Sequence, residues 1–164
     1  MSGGTDLPGG LPGRLPGRLR VDVLAFTDLD AATAYAVWRL RQDVFVVEQE
    51  CAYADLDGRD DEPGTRHVLL RDGEPGADDL LGYLRILVEP DGALRIGRVL
   101  LRRDARGRGL AGPLMTAALD EVGDRPSRLD AQAPLARFYA GYGYDVTGPE
   151  FVEDGIPHVP MSRP

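Results

Sequence analysis

The sequence predicts a single mixed α/β domain, and three observations carry that prediction. Segments of strand character alternate with segments of helical periodicity, the pattern of a mixed sheet covered by helices. The chain has 164 residues, the size of one domain and enough for a proper core. Hydrophobic residues make up 43% and charged residues 28%, the balance of a soluble globular protein.

Residues 1–18 repeat short units, Leu11-Pro12-Gly13-Arg14 and then Leu15-Pro16-Gly17-Arg18. Pro and Gly at this density build no packed element, so the segment reads as a flexible tail ahead of one domain over residues 19–164. It lacks the long apolar run of a signal peptide. Residues 19–26 alternate Leu19, Val21, Val23 and Ala25, giving a first strand. Asp28 or Asp30 then caps a helix that runs to about Gln42. The β-branched and aromatic stretch at residues 44–47 loosens that helix. Residues 67–70 and 80–89 read as strands, joined by a Gly/Pro-rich turn at residues 73–76.

Pro90-Asp91-Gly92 signals a hairpin into a strand over residues 94–101. Gly97 inside that strand marks a bulge or a close backbone approach. The next helix, residues 110–122, aligns Leu110, Leu114, Met115, Ala118, Leu119 and Val122 on one face. Residues 128–131 form a short strand. Pro134 starts a helix carrying Leu135, Phe138, Tyr139 and Tyr142 on one side, and Gly143 stops it. Short strands at residues 144–146 and 158–161 close the chain.

The chemistry concentrates in Arg106-Gly107-Arg108-Gly109-Leu110-Ala111, between a strand and a helix start. Glycines there let consecutive backbone N–H groups point at one anion, and the helix adds the positive end of its dipole. Arg106 and Arg108 add charge suited to phosphate. The run predicts a pyrophosphate cradle. Gly107, Gly109 and Gly112 also match a dinucleotide fingerprint, with Asp130 near the place of a ribose-binding acid. Three features count against that reading. Residues 102–105 separate the strand end from the motif, too few residues follow Asp130 to complete a doubly wound sheet, and a hairpin rather than a helix feeds the strand. No Gly-Lys-Ser/Thr follows, which excludes a P-loop.

The arrangement resembles the GNAT superfamily of acyl-CoA-dependent N-acyltransferases. Arg106, Gly109 and Ala111 stand where that family has Arg/Gln-x-x-Gly-x-Gly/Ala, and residues 136–144, Ala-Arg-Phe-Tyr-Ala-Gly-Tyr-Gly-Tyr, look like its Tyr-x-x-x-Gly-aromatic helix and turn. Residues 41–49, the Cys51-x-Tyr53-x-Asp55-x-Asp57-Gly58 run and Glu153-Asp154-Gly155-Ile156-Pro157-His158 look like the ElaA-like branch, with Tyr144 where that branch often has Phe. The resemblance implies a mostly antiparallel central sheet flanked by helices, splayed into a cleft for CoA. It implies that Val99, Leu100 and Leu101 pair with the pantetheine arm as an added strand would. Backbone N–H groups of Arg106, Gly107, Arg108, Gly109, Leu110 and Ala111 would hold the pyrophosphate, and Gln132 would hydrogen-bond the pantetheine amides.

The function expected is transfer of an acetyl group from acetyl-CoA to a primary amine by direct attack in a ternary complex. An aliphatic amine has a pKa of about 10.4 and must lose a proton first, whereas a thiol near about 8.5 leaves better when protonated. The resemblance puts Tyr139 beside the CoA sulfur as the acid; the plainer reading is a core tyrosine. A backbone N–H of the strand, that of Val99, would hold the oxyanion. Glu48 is the candidate base, because the apolar run before it should be buried and raise its pKa; a structural carboxylate partnered by Arg39 or Arg41 is as good a reading. His67 and His158 are candidate acceptor-pocket residues, although a histidine ahead of an apolar strand is more often structural.

The net charge of −8 argues against a nucleic-acid partner and suits a cationic substrate. All 19 basic residues are arginine, so the chain has no lysine to acylate on itself. No apolar stretch approaches the roughly 18 residues a membrane span needs. A lone cysteine, Cys51, forms no internal disulfide, and a cytoplasmic protein is expected. The acidic run at residues 55–62 has the wrong glycine spacing for a calcium loop, so no metal is expected, and it reads as a solvated turn or as a lure for a cationic amine. A non-catalytic acyl-CoA sensor is the rival function. Acceptor, acyl length and oligomeric state stay open, a homodimer included.

Overall fold

A computed structural model of the chain describes residues 18–73 and 79–164. Of the expected tail all but Arg18 lies outside the described residues, as do residues 74–76 of the expected turn. Among the described residues eight strands form one sheet: β1 (Leu19–Leu24), β2 (Arg66–Asp72), β3 (Asp79–Val88), β4 (Leu94–Leu101), β5 (Ser127–Gln132), β6 (Asp145–Val146), β7 (Phe151–Glu153) and β8 (Ile156–Arg163). Their order is β1-β2-β3-β4-β5-β8-β6, with β7 also paired to β8. Every pairing is antiparallel except β4 with β5.

That parallel pairing holds only at Leu94↔Ser127 and Arg95↔Arg128. Beyond Arg95 the two strands diverge, and the sheet opens into a cleft. On the other side of β4 the ladder with β3 slips: Gly97 faces Arg85 and Leu100 faces Tyr83, so two residues, Arg98 and Val99, oppose one. The bulge predicted at Gly97 therefore sits one residue later. Its left-handed residue is Arg98, at φ 53, a conformation costly for a side chain larger than glycine.

Helix α1 (Ala31–Arg41) starts where Asp30 accepts a hydrogen bond from the Thr33 amide at 2.7 Å. It passes into a widened helical stretch, Gln42–Glu48, in which the Gln49 amide reaches back to Val44 O at 2.9 Å. This is the loosening expected of Val44, Phe45, Val46 and Val47, whose crowded side chains disfavour tight helical turns. Helix α2 (Ala111–Val122) buries Leu114, Met115, Ala118 and Val122, as its periodicity predicts. Helix α3 (Ala136–Ala140) is shorter than expected; Pro134 lies in a tight turn before it, and Gly143, at φ 90, turns the chain after it. The Asp154-Gly155 turn, both residues at positive φ (49 and 76), joins β7 to β8 as a hairpin.

Two cores lie on opposite faces of the sheet. Leu84 and Ile86 of β3 pack with Leu114, Met115, Tyr139 and Met161 on the α2–α3 face. Tyr83 of the same strand packs with Val37, Phe45, Leu69 and Leu100 on the α1 face. Alternation along a regular stretch of strand thus assigns each cleft residue on it a face.

Candidate active site

The divergence of β4 from β5 leaves a cleft of about 720 Å³. Val99, Leu100, Leu101, Arg106, Ala111 and Gln132 all line it, six of the ten residues expected to hold CoA. From residue 96 onward β4 has no strand beside it on the β5 side, so its backbone groups there face the opening. A ligand chain with amide groups can occupy that edge as an added strand does.

The glycine loop leads from β4 to α2. Gly107 and Gly109 sit at φ 73 and 71, where glycine alone is unstrained, and no side chain caps the first turn of α2. The amides there are free to meet an anion. Gly107, Arg108 and Gly109 are exposed, between two residues that line the cleft. Leu110 buries its side chain in the core and leaves its backbone, the part expected to meet the pyrophosphate, at the helix start.

Glu48 corrects an expectation. Although Val44 and Phe45 are buried, the helical stretch turns Glu48 outward, and it is exposed. Both its carboxylate oxygens accept hydrogen bonds from Arg106, Nη2 to Oε2 at 2.9 Å. The Arg106 guanidinium holds this carboxyl below the usual range, the reverse of the shift that burial would give. Its neighbour Gln49 accepts a hydrogen bond from Gln132 Nε2 at 3.4 Å. Adjacent residues at the end of one helical stretch therefore reach the glycine loop and β5.

Tyr139 lies on α3 and lines the cleft, 6% exposed. Among the described residues its hydroxyl makes no hydrogen bond to a protein group. Burial pushes its pKa up to about 12, so it stays a neutral donor. His158 also lines the cleft, whereas His67 does not. The expected pocket role of His67 is corrected: it is fully buried between strands, with Nε2 2.9 Å from Asp60 O and Nδ1 2.6 Å from the Tyr83 hydroxyl. A carbonyl only accepts, so Nε2 carries the hydrogen and Tyr83 donates to Nδ1. Burial lowers the His67 pKa and keeps the ring neutral.

In the acidic run Asp55 and Asp60 are buried, unlike the solvated turn expected, while Asp57 lines the cleft. Asp55, Asp57 and Asp60 are gripped by arginines from α1, β3 and β4. Arg41, fully buried, donates to Asp55 Oδ2 at 2.9 Å and Asp60 Oδ1 at 2.6 Å. Arg85 donates to Asp57 Oδ1 at 2.9 Å and Asp60 Oδ1 at 3.1 Å, and Arg98 Nε lies 2.9 Å from Asp55 Oδ1. Burial works against the Asp57 charge, yet the Arg85 hydrogen bonds and the Arg59 amide hold its pKa well below the carboxylate range. The Arg98 guanidinium also stacks 5.0 Å over Tyr53. These contacts hold the strained bulge of β4 in place. Arg85 and Arg98 both line the cleft, and sequence reasoning missed them. The available signal was a charge inside an apolar strand, since arginine is almost never buried unless paired. Among the described residues no group of three or more His, Cys, Asp or Glu side chains is placed to hold a metal ion. No helix among them is long and apolar enough to cross a membrane.

Comparison with known proteins gives the family and the fold. The family described as an acetyltransferase (GNAT) domain matches residues 40–163. A UPF0039 protein of Mycobacterium tuberculosis is 51% identical over 142 residues, covering 84% of this chain and 88% of its own. Protein ElaA of Escherichia coli is 38% identical over 146 residues, 85% of this chain and 93% of its own. Among solved structures, an acyl-CoA N-acyltransferase from Pseudomonas aeruginosa superposes with a TM-score of 0.80 at 38% identity, over 89% of this chain and 99% of that one. The crystal structure of E. coli ElaA gives 0.81 at 35% identity with the same coverage.

Proposed function

This chain belongs to the GNAT acetyltransferase family, and from that membership we propose that it moves an acetyl group from acetyl-CoA to a primary amine by direct attack in a ternary complex. The observation that supports this most is the opening of β4 from β5 beside a glycine loop with an uncapped helix start. Pantetheine lies along residues 99–101, with Gln132 on the opposite wall. The pyrophosphate meets the amides of residues 106–111 and the Arg106 side chain.

The amine nitrogen attacks the thioester carbon, the carbonyl oxygen gains charge beside the Val99 amide, and the C–S bond breaks with its electron pair on sulfur. Tyr139 donates a hydrogen bond to that sulfur. Its pKa of about 12 makes full proton transfer to a thiolate late and uphill, so its first service is to stabilise the leaving charge. Glu48 serves here as the partner of Arg106 rather than as a base.

The test is thermal stability with saturating acetyl-CoA, CoA, NAD and NADP in parallel. A ligand at about 100 times its dissociation constant adds roughly 2.7 kcal/mol and raises Tm by several degrees. A shift with the CoA species alone, followed by thiol release with a panel of amines, is the expected result. A dinucleotide shift overturns the reading. Binding of acetyl-CoA with no release from any amine makes the chain a sensor.

A further inference from the structure

Amide formation needs two proton movements at two places, one off the attacking nitrogen and one onto the leaving sulfur. Tyr139 answers for the sulfur, and Glu48 is tied to Arg106 and does not line the cleft. Strand alternation shows what stands opposite Tyr139.

Tyr139 packs with Leu84, Ile86 and Leu114 on the α2–α3 face. Arg95 of β4 is in register with Leu87, two residues along β3 from Arg85 and four from Tyr83, so it lies on the α1 face. Arg95 Nη1 reaches Asp130 Oδ2 at 3.2 Å, which places Asp130 of β5 on that face too. Alternation then puts Gln132 there, while Leu129 and Ala131 join the α2–α3 core. His158 of β8 is the register partner of Gln132, and paired residues share a face. His158 and Tyr139 thus border one cleft from opposite faces of the sheet.

The imidazole is held ready. His158 Nδ1 lies 2.7 Å from Ile156 O, a carbonyl that only accepts, so Nδ1 carries the hydrogen and Nε2 presents its lone pair. The ring stacks on Phe151 of β7, centroids 5.7 Å apart at 21°. The cleft it lines also holds Asp130 and Arg95, paired with each other, then Asp57, Arg85, Arg98 and Arg106, each in an ion pair, and Cys51 with the carboxylates of Glu153 and Asp154 at the hairpin turn. Glu153 and Asp154, in no ion pair among the described residues, add negative charge to the cleft lining, the sign that draws an ammonium.

We infer that His158 is the proton acceptor for the amine substrate, working through Nε2 from the face opposite Tyr139. The inference rests on the acyltransferase reading above. The ammonium first loses one proton to water; the neutral amine then forms the C–N bond to the thioester carbon and gives its second proton to Nε2. The C–S bond breaks with its electrons on sulfur, which takes one proton by way of Tyr139. The imidazolium and the tyrosine return to rest by exchange with water.

The experiment measures amide product from acetyl-CoA with spermidine, an aminoglycoside and a peptide N-terminus, using the full chain, His158→Gln and His158→Ala. Expected for both variants is a kcat lower by about 10²–10⁴-fold, with an unchanged thermal shift on acetyl-CoA. Added imidazole restores product in His158→Ala, which a merely structural role would not allow. Either variant keeping kcat within about twofold, or a variant that raises only the KM for the amine, overturns the inference and leaves the acyltransferase reading standing. An unmodified protein that makes no product from any of these amines overturns both.

Discussion

Glu48 and Arg106, 58 residues apart in sequence, face each other with two carboxylate oxygens against two guanidinium nitrogens. The contact ties the end of the helical stretch to the loop that would cradle pyrophosphate. An incoming phosphate meets an arginine already engaged and a carboxylate of its own sign. Glu48→Gln removes that competition. Because an exposed pair is worth only about 0–1 kcal/mol, acetyl-CoA should bind up to about fivefold more tightly in the variant at low salt, with the gain shrinking at high salt. Arg106→Ala should weaken binding instead. Isothermal titration at two ionic strengths checks both, and a Glu48→Gln protein that binds more weakly would show the pair to be a needed brace.

Tyr139→Phe keeps the ring and its packing but loses the hydroxyl of a residue that lines the cleft. Its Tm should stay within about 2 °C of the parent and its acetyl-CoA affinity within about threefold, since among the described residues the hydroxyl makes no hydrogen bond to a protein group. The turnover number should fall by about 10²-fold. Steady-state rates beside a melting curve separate the two effects. An undiminished rate would make Tyr139 a core residue only.

Arg41 carries a full charge with no exposure, met by Asp55 and Asp60. Replacing one partner of a buried pair leaves the other charge stranded, at about 3–5 kcal/mol. Arg41→Ala should therefore unfold at far lower urea than the parent, whereas Arg39→Ala, exposed and only 4.0 Å from Asp43, should not move the midpoint measurably. Arg41→Ala should also loosen the Arg98 bulge, with which Arg41 shares Asp55, visible as faster amide exchange in β4.

His67 is buried neutral, its pKa lowered by burial. The unfolded chain takes up that proton first as pH falls, so stability from this residue is complete above the ordinary histidine pKa of about 6.5 and is lost as pH drops below it toward the folded value. Urea midpoints should decline from pH 7 to pH 5. His67→Gln should be less stable at pH 7 and should flatten that decline. An equal slope in both proteins would assign the acid sensitivity elsewhere.

Several features of the site were legible in the residues alone. Gly107 and Gly109 announced positive φ, and the stripe from Leu114 to Val122 announced the buried face of α2. The fate of Glu48 was not legible, because the widened helix decides which part of the apolar run is buried: Val44 and Phe45 are, whereas Val46, Val47 and Glu48 are exposed. Nor was the fate of His67, since the pattern before an apolar strand does not say whether Tyr83 and the Asp60 carbonyl will wait across the gap. The acidic run misled for the same reason. Its counter-charges, Arg41, Arg85 and Arg98, come from three other elements.

What the chain determines by itself is local: strand and helix periodicity, the hairpin at Pro90-Asp91-Gly92, and the glycines that let a loop wrap an anion. Each follows from the φ, ψ and side-chain preferences of neighbouring residues. What only the tertiary structure decides is non-local. It is the parting of β4 from β5 after two paired residues, the clamp on Arg98, and the placing of His158 and Tyr139 on opposite faces of one cleft. Those depend on register between strands far apart in sequence, and register is set by how whole faces bury against α1 and α2.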